Sequence, residues 1–178
     1  MNRIYAGIGS RKTPKHILEQ MEEVASILGA SGFTLRSGGA SGADEAFENG
    51  CDSVGGAKEI YIPWETFTRR TDRSSIICLK DYSPYYQVTS DYHPAWDRCP
   101  DSVKRLHSRN LFIIAGDILK DDPLCDFVVC WTPNGAYVGG TALAMRIADD
   151  AIIRVFNLAN EGALDDLATF LEENYNDL

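Results

Sequence analysis

The stretch RSGGASGADEAF, Arg36 to Phe47, decides how this chain is read. It places three glycines in a short span and then turns into a helix-like run with acidic residues near its start. Each glycine costs backbone entropy on folding, so a cluster needs a reason. One reason is a tight turn. The other is a loop whose bare backbone must approach something closely, most often a phosphate at a helix N-terminus.

Outward from this stretch the chain alternates between two periods. RIYAGIGS is a short β-type run, and Pro14 then opens a helix, as proline does in a first turn. Ile17, Met21, Val24 and Leu28 recur at helical spacing, so this helix buries one face. FTLRSG forms the strand that feeds the glycine loop, ADEAFENGC a short helix, and AKEIYIP a third strand closed by Pro63. Farther on, DSVKRLHSRNLFIIAG reads as a helix that Asp101 or Ser102 can cap. CDFVVCW is nearly continuous in apolar residues, which suits a central strand covered on both faces. A helix after VGGT, the strand AIIRVFNL and the amphipathic run ALDDLATFLEENY complete the chain. Strand–helix alternation of this kind implies an α/β fold: a Rossmann-like open, mostly parallel sheet flanked by helices. Between about 64 and 100 no period is visible, so this segment is an irregular insertion after the third strand of a single domain spanning 1–178.

Composition excludes several classes. The chain has 178 residues, 44% of them hydrophobic and 24% charged, which is ordinary for a globular domain. No apolar run reaches the length that crosses a bilayer, and MNRIYAGIGS lacks the apolar core of a signal peptide, so a cytoplasmic protein is expected. The net charge of −9 disfavours broad charge-driven binding to nucleic acid. Five cysteines without a CxxC pair read as reduced thiols, and three isolated histidines give no metal-ligand spacing. No metal and no cofactor is expected.

Three strand-to-helix turns are alike in being rich in glycine and small residues, namely GIGSRKTP, SGGASGAD and TPNGAYVGGTA. In a parallel sheet they lie together at the carboxyl ends of the strands, where ligands bind at the switch in strand order. The first is not a dinucleotide fingerprint, because Lys12 stands where the third glycine of GxGxxG belongs. No GxxxxGK[ST] occurs either. Ser10, Arg11 and Lys12 beside a helix start instead offer an anion-binding corner. Trp131 and Thr132 end the central strand, with Trp131 read as a packing residue.

AGIGSRKTP, LRSGGASGADEAF, HSRNLFIIAGD, CDFVVCWTP and GGTALAMRIA, in this order, resemble the Rossmann-like core of DNA-processing protein A (DprA/Smf). More widely they resemble the SLOG superfamily, which includes LONELY GUY and lysine-decarboxylase-like phosphoribohydrolases. The likeness covers 3–62 and 101–157. It implies that Gly9, Ser10, Arg11, Ser37, Gly38, Gly39, Gly42, Asp44, Arg109, Asn110, Gly139, Gly140 and Thr141 surround a nucleotide-like ligand. LONELY GUY-type enzymes carry PGG-x-GT-x-x-E, whose Glu serves N-glycosidic cleavage, and VGGTALAM puts Ala144 at or near that position. Asp44 is therefore the candidate catalytic carboxylate, with a dipole-favoured acidic residue as the plain alternative.

The residues support a nucleotide-binding protein, and leave open whether it catalyses a reaction. The alternatives are a nucleotide N-glycosidase and a single-stranded DNA-binding module like DprA, the latter disfavoured by charge. Tyr82, Tyr85, Tyr86, Tyr92 and Trp96 of the insertion suit either a cover over the ligand, with Arg69, Arg70 and Arg73 closing on an anion, or the subunit interface of a homo-oligomer.

Overall fold

The computed structural model describes residues 2–68 and 70–175. Among these, six parallel strands form one sheet: β1 (Ile4–Gly9), β2 (Thr34–Ser37), β3 (Lys58–Ile62), β4 (Ile76–Cys78), β5 (Phe127–Trp131) and β6 (Arg154–Asn157). Their order is β4-β3-β2-β1-β5-β6, so the direction of winding reverses between β1 and β5. Six helices among the described residues accompany them: α1 (Lys15–Ala30), α2 (Ala43–Ser53), α3 (Tyr86–Ser90), α4 (Asp101–Ala115), α5 (Thr141–Asp150) and α6 (Ala163–Asn174).

Alternation along each strand divides the core in two. Ile4, Ala6 and Ile8 of β1 and Val128 and Cys130 of β5 face a cluster built with α4 and α5. Tyr5, Phe127 and Val129 face the opposite cluster, with residues of α1, α2 and α6. A sheet covered on both faces has no polar side, which is why CDFVVCW reads as one apolar run.

The insertion is more ordered than its sequence suggests. It contributes the edge strand β4, a single turn at Ser83–Tyr85 and the short helix α3. Its aromatics cover the outer side of α4: Tyr82 and Tyr85 are buried, with ring centroids 5.8 and 4.6 Å from Phe112. Leu111, Phe112, Ile113 and Ile114 are consequently all buried. A helix with an apolar residue on every side needs a second wall, and the insertion is that wall.

One local expectation is corrected. Neither Asp101 nor Ser102 caps α4: Pro100 holds the cap position and no side chain donates or accepts there. The open, parallel sheet is as expected, and it gains a sixth strand, β4, that the sequence did not show, in the aperiodic segment at an edge where three residues suffice.

Candidate functional site

The switch in strand order lies between β1 and β5, whose ends pair at Gly9 and Trp131. Side chains and loops diverge there and leave a crevice outside the carboxyl ends of the strands. A cavity of about 470 Å³ fills this place, lined by the Gly9–Lys12 loop, the start of α2, the middle of α4 and the turn before α5. Arg11, Lys12 and Arg109 bring three cations to it, against one carboxylate, Asp44, among the described residues. The cavity is thus locally basic in an acidic chain.

Hydrogen bonds hold its walls. Ser10 N–H donates to the Trp131 carbonyl at 3.3 Å, joining the first loop to β5. Thr13 Oγ1 donates to the Ser10 carbonyl and Lys12 N–H to Ser10 Oγ, which shapes the turn. Asn110 Nδ2 donates to the Gly140 carbonyl at 3.1 Å, tying α4 to the α5 turn. Thr132 is buried and exchanges hydrogen bonds with Asn157 at the end of β6.

Asp44 and Arg109 form the electrostatic centre. Arg109 Nη1 lies 3.6 Å from Asp44 Oδ2, and both side chains are more than nine-tenths buried. Burial pushes the Asp44 carboxyl up, against the pull of Arg109 and of the Ala40 and Gly9 amides. The same burial pulls Arg109 down, although a guanidinium stays charged. Arg109 Nε is buried without a hydrogen-bond partner among the described residues. The Phe67 ring contacts two cations, its centroid 5.5 Å from Arg109 Cζ and 5.9 Å from Arg11 Cζ.

Of the residues expected around a ligand, Gly9, Ser10, Arg11, Asp44, Arg109, Asn110, Gly139, Gly140 and Thr141 line this cavity. Ser37, Gly38, Gly39 and Gly42 do not, and each has another task. Ser37 Oγ donates to the Gly7 carbonyl at 2.6 Å, fully buried. A Cβ on Gly38 would fall 1.1 Å from Arg109 Nη1, so the guanidinium occupies the space that glycine leaves. Gly42, with φ +86, brings α2 against the first loop, where a Cβ would sit 2.8 Å from Arg11 Cα. A Cβ on Gly39 would meet Ile60 and Ile62 at 3.1 Å, not the cavity. Arg36, first in the decisive stretch, braces Glu59 and the Pro123 carbonyl.

The insertion does not cover the cavity in the way its composition suggested. Tyr82, Tyr85, Tyr86, Tyr92 and Trp96 are absent from the lining. Tyr86 and Tyr92 donate to Asp101 and Asp150 instead. Arg70 pairs with Glu48 and Asp52, and Arg73 with Glu65. Arg69 lies outside the described residues. Trp131 packs against the α1/α2/α6 core. Leu106, Pro133 and Val138 also line the cavity, and Phe67 backs its two arginines. The helical period of α4 could have shown Leu106 one turn before Arg109, but no local pattern marks Phe67. Ala144 lines the cavity with a methyl group. Among the described residues no group of three His, Cys, Asp or Glu side chains is placed to hold a metal. No helix among them is long and apolar enough to cross a membrane.

No family model matches the sequence, and comparison with curated proteins gives no match. Solved structures do. The molybdenum cofactor carrier protein of Chlamydomonas reinhardtii superimposes with a TM-score of 0.55 at 16% identity, covering 97% of this chain and 86% of that one. DNA processing protein A of Helicobacter pylori, described for its single-stranded DNA binding mode, gives 0.59 at 17% identity, over 94% of this chain and 72% of that one. At such identities the likeness is one of fold: the chain has the DprA-like Rossmann fold that its glycine loops resemble.

Proposed function

We propose that this protein binds a nucleotide-sized anionic ligand in the switch-point cavity, with a phosphoryl group at the Gly139–Thr141 turn. The observation that carries this reading is the start of α5. It has no side-chain cap and no acidic residue in its first turn, and it shares a basic cavity of about 470 Å³ with Arg11 and Lys12. A helix start of this kind favours an anion through its amides and its dipole. The volume falls within the usual range for small-molecule sites. Five unpaired thiols suit a reducing compartment, so we place the protein in the cytoplasm.

Single-stranded DNA is the second reading, favoured by the similarity to the Helicobacter pylori protein. Isothermal calorimetry against nucleoside mono- and diphosphates and against an oligothymidylate separates the two. A nucleotide should bind with modest salt dependence, whereas a strand held through many phosphates should weaken steeply with salt. Native mass spectrometry of the purified protein adds a search for a retained small molecule. Absence of heat with every nucleotide at about 1 mM, which corresponds to roughly 4 kcal/mol of binding free energy, sinks the nucleotide reading.

A further inference from the structure

The loop between β2 and α2 is furnished as an anion site, and the chain occupies it with a carboxylate from the first turn of α2. Ala40 N–H donates to Asp44 Oδ2 at 3.2 Å, and the Gly9 amide also pulls the same carboxyl down. Arg109 Nη1 approaches Oδ2 to 3.6 Å. A backbone amide and a guanidinium are donors that would otherwise hold a phosphate. Arg109 also keeps Nε unpartnered although the residue is only 6% exposed, so the cavity wall holds a donor that the described residues do not satisfy. The start of α5 has the opposite character. A Cβ on Gly139 or Gly140 would meet nothing within 4 Å, and no chain carboxylate lies in the first turn.

We infer that Asp44 is the specificity-determining residue of the cavity. By occupying the Ala40 amide and pairing with Arg109 it confines phosphoryl groups to the α5 turn. The site therefore takes a ligand with one phosphoryl end and hydrogen-bond donors at the other, such as a nucleoside or sugar monophosphate. It disfavours consecutive phosphates, in a polyphosphate or a nucleic-acid strand. The inference rests on the anionic-ligand reading above. Its physical basis is that a buried carboxylate repels a second anion strongly where water cannot screen it, and accepts hydroxyl or amino donors. Discrimination by a repulsive group is a usual route to specificity.

Asp44→Asn keeps the shape and removes the charge. Calorimetry would use adenosine 5′-monophosphate, inorganic tripolyphosphate and an oligothymidylate. Losing a charged acceptor should weaken the monophosphate about tenfold or more, and losing the repulsion should strengthen tripolyphosphate by a similar factor. An unchanged ratio between these two probes overturns the inference. So does a wild type that binds the oligothymidylate more tightly than the monophosphate. If Asp44→Asn does not fold, Gly140→Asp reads the other end, because its backbone is ordinary (φ −65) and its Cβ points into open space. It should weaken the monophosphate about tenfold or more by bringing a like charge to the α5 turn, and an unweakened affinity overturns the assignment of the phosphoryl end. A wild type that binds none of the three probes defeats the anionic-ligand reading. In that case tripolyphosphate binding gained by Asp44→Asn still supports the role of Asp44, and no gain removes it.

Discussion

Glu48 offers a direct test of how this fold handles buried charge. It lies on α2, one turn beyond Asp44, and its side chain is only 1% exposed. Arg70 Nε is 2.7 Å from Oε2 and Lys58 Nζ is 3.7 Å away, while Oε1 has no hydrogen-bond partner among the described residues. Burial pushes the carboxyl from 4.5 up to about 7, opposed by Arg70 and Lys58 and assisted by Asp44 and Asp52. The folded chain therefore holds this proton more tightly than the unfolded chain does. The stability it contributes is complete below pH 4.5 and is lost as the pH rises through about 7. At about 1.4 kcal/mol per pH unit, the loss amounts to roughly 3 kcal/mol. Glu48→Gln cannot titrate, so it should hold its stability across this range and exceed the wild type by about that amount near pH 8. Urea unfolding followed by tryptophan fluorescence at several pH values measures both curves. The difference between them isolates Glu48 from other titrating groups. Parallel curves, or a Gln variant that is less stable at alkaline pH, would show that Arg70 and Lys58 outweigh the cost of burial.

Four further outcomes are expected. Gly38→Ala drives a methyl group onto Arg109 and separates it from Asp44, which should cost about 3 kcal/mol or more in a denaturant titration, as breaking a buried ion pair does. Gly140→Ala, in open space, should unfold like the wild type. His107 is buried with Nδ1 unpartnered among the described residues, and burial lowers it to about 4, so the wild type should lose stability as the pH falls from 6.5 through about 4. His107→Gln should flatten that acid limb, and a limb that persists would assign it to other groups. Ala144 lines the cavity with a methyl group, at or near the position of the glutamate in the LONELY GUY-type motif that the chain resembles, so no free base should be released from nucleoside monophosphates in a chromatographic assay. Release abolished by Asp44→Asn would make this an enzyme using Asp44, and release that survives would locate the active site elsewhere.

Much of the architecture is legible because it follows from period and punctuation. CDFVVCW announces a strand buried on both faces, and Ile17, Met21, Val24 and Leu28 a helix with one buried stripe, although it is Ala25, not Val24, that is fully buried. The insertion is not legible for a physical reason. Its elements are too short to show a period: three residues in β4 and five in α3. Its order comes from contacts distant in sequence, such as Tyr85 donating to Asp117 and Tyr82 donating to the Ile62 carbonyl. Its arginines show the same limit. Arg70 reads as a cation free to meet a ligand until the fold brings Glu48 and Asp52 to it.

The glycines of the decisive stretch have a different role from that of the later pair. Flexible backbone at a loop can serve an external ligand or a neighbouring part of the same chain, and only the fold distinguishes the two. At Gly38 and Gly42 the missing Cβ leaves room for Arg109 and for the first loop, respectively. Those glycines assemble the site by letting an arginine and two loops come together. At Gly139 and Gly140 the missing Cβ leaves room for nothing among the described residues. The two sets should therefore respond differently to an added methyl group. At Gly38 stability should fall because a buried charge loses its partner, and at Gly42 because the methyl group meets the backbone of the first loop. At Gly140, whose backbone is ordinary (φ −65), stability should hold, and ligand affinity alone should change wherever the methyl group meets the phosphoryl end, whereas Gly139 (φ +67) would add backbone strain. Equal losses of stability at Gly38 and Gly140 would mean that the α5 turn is packed in solution and does not stand open to a ligand.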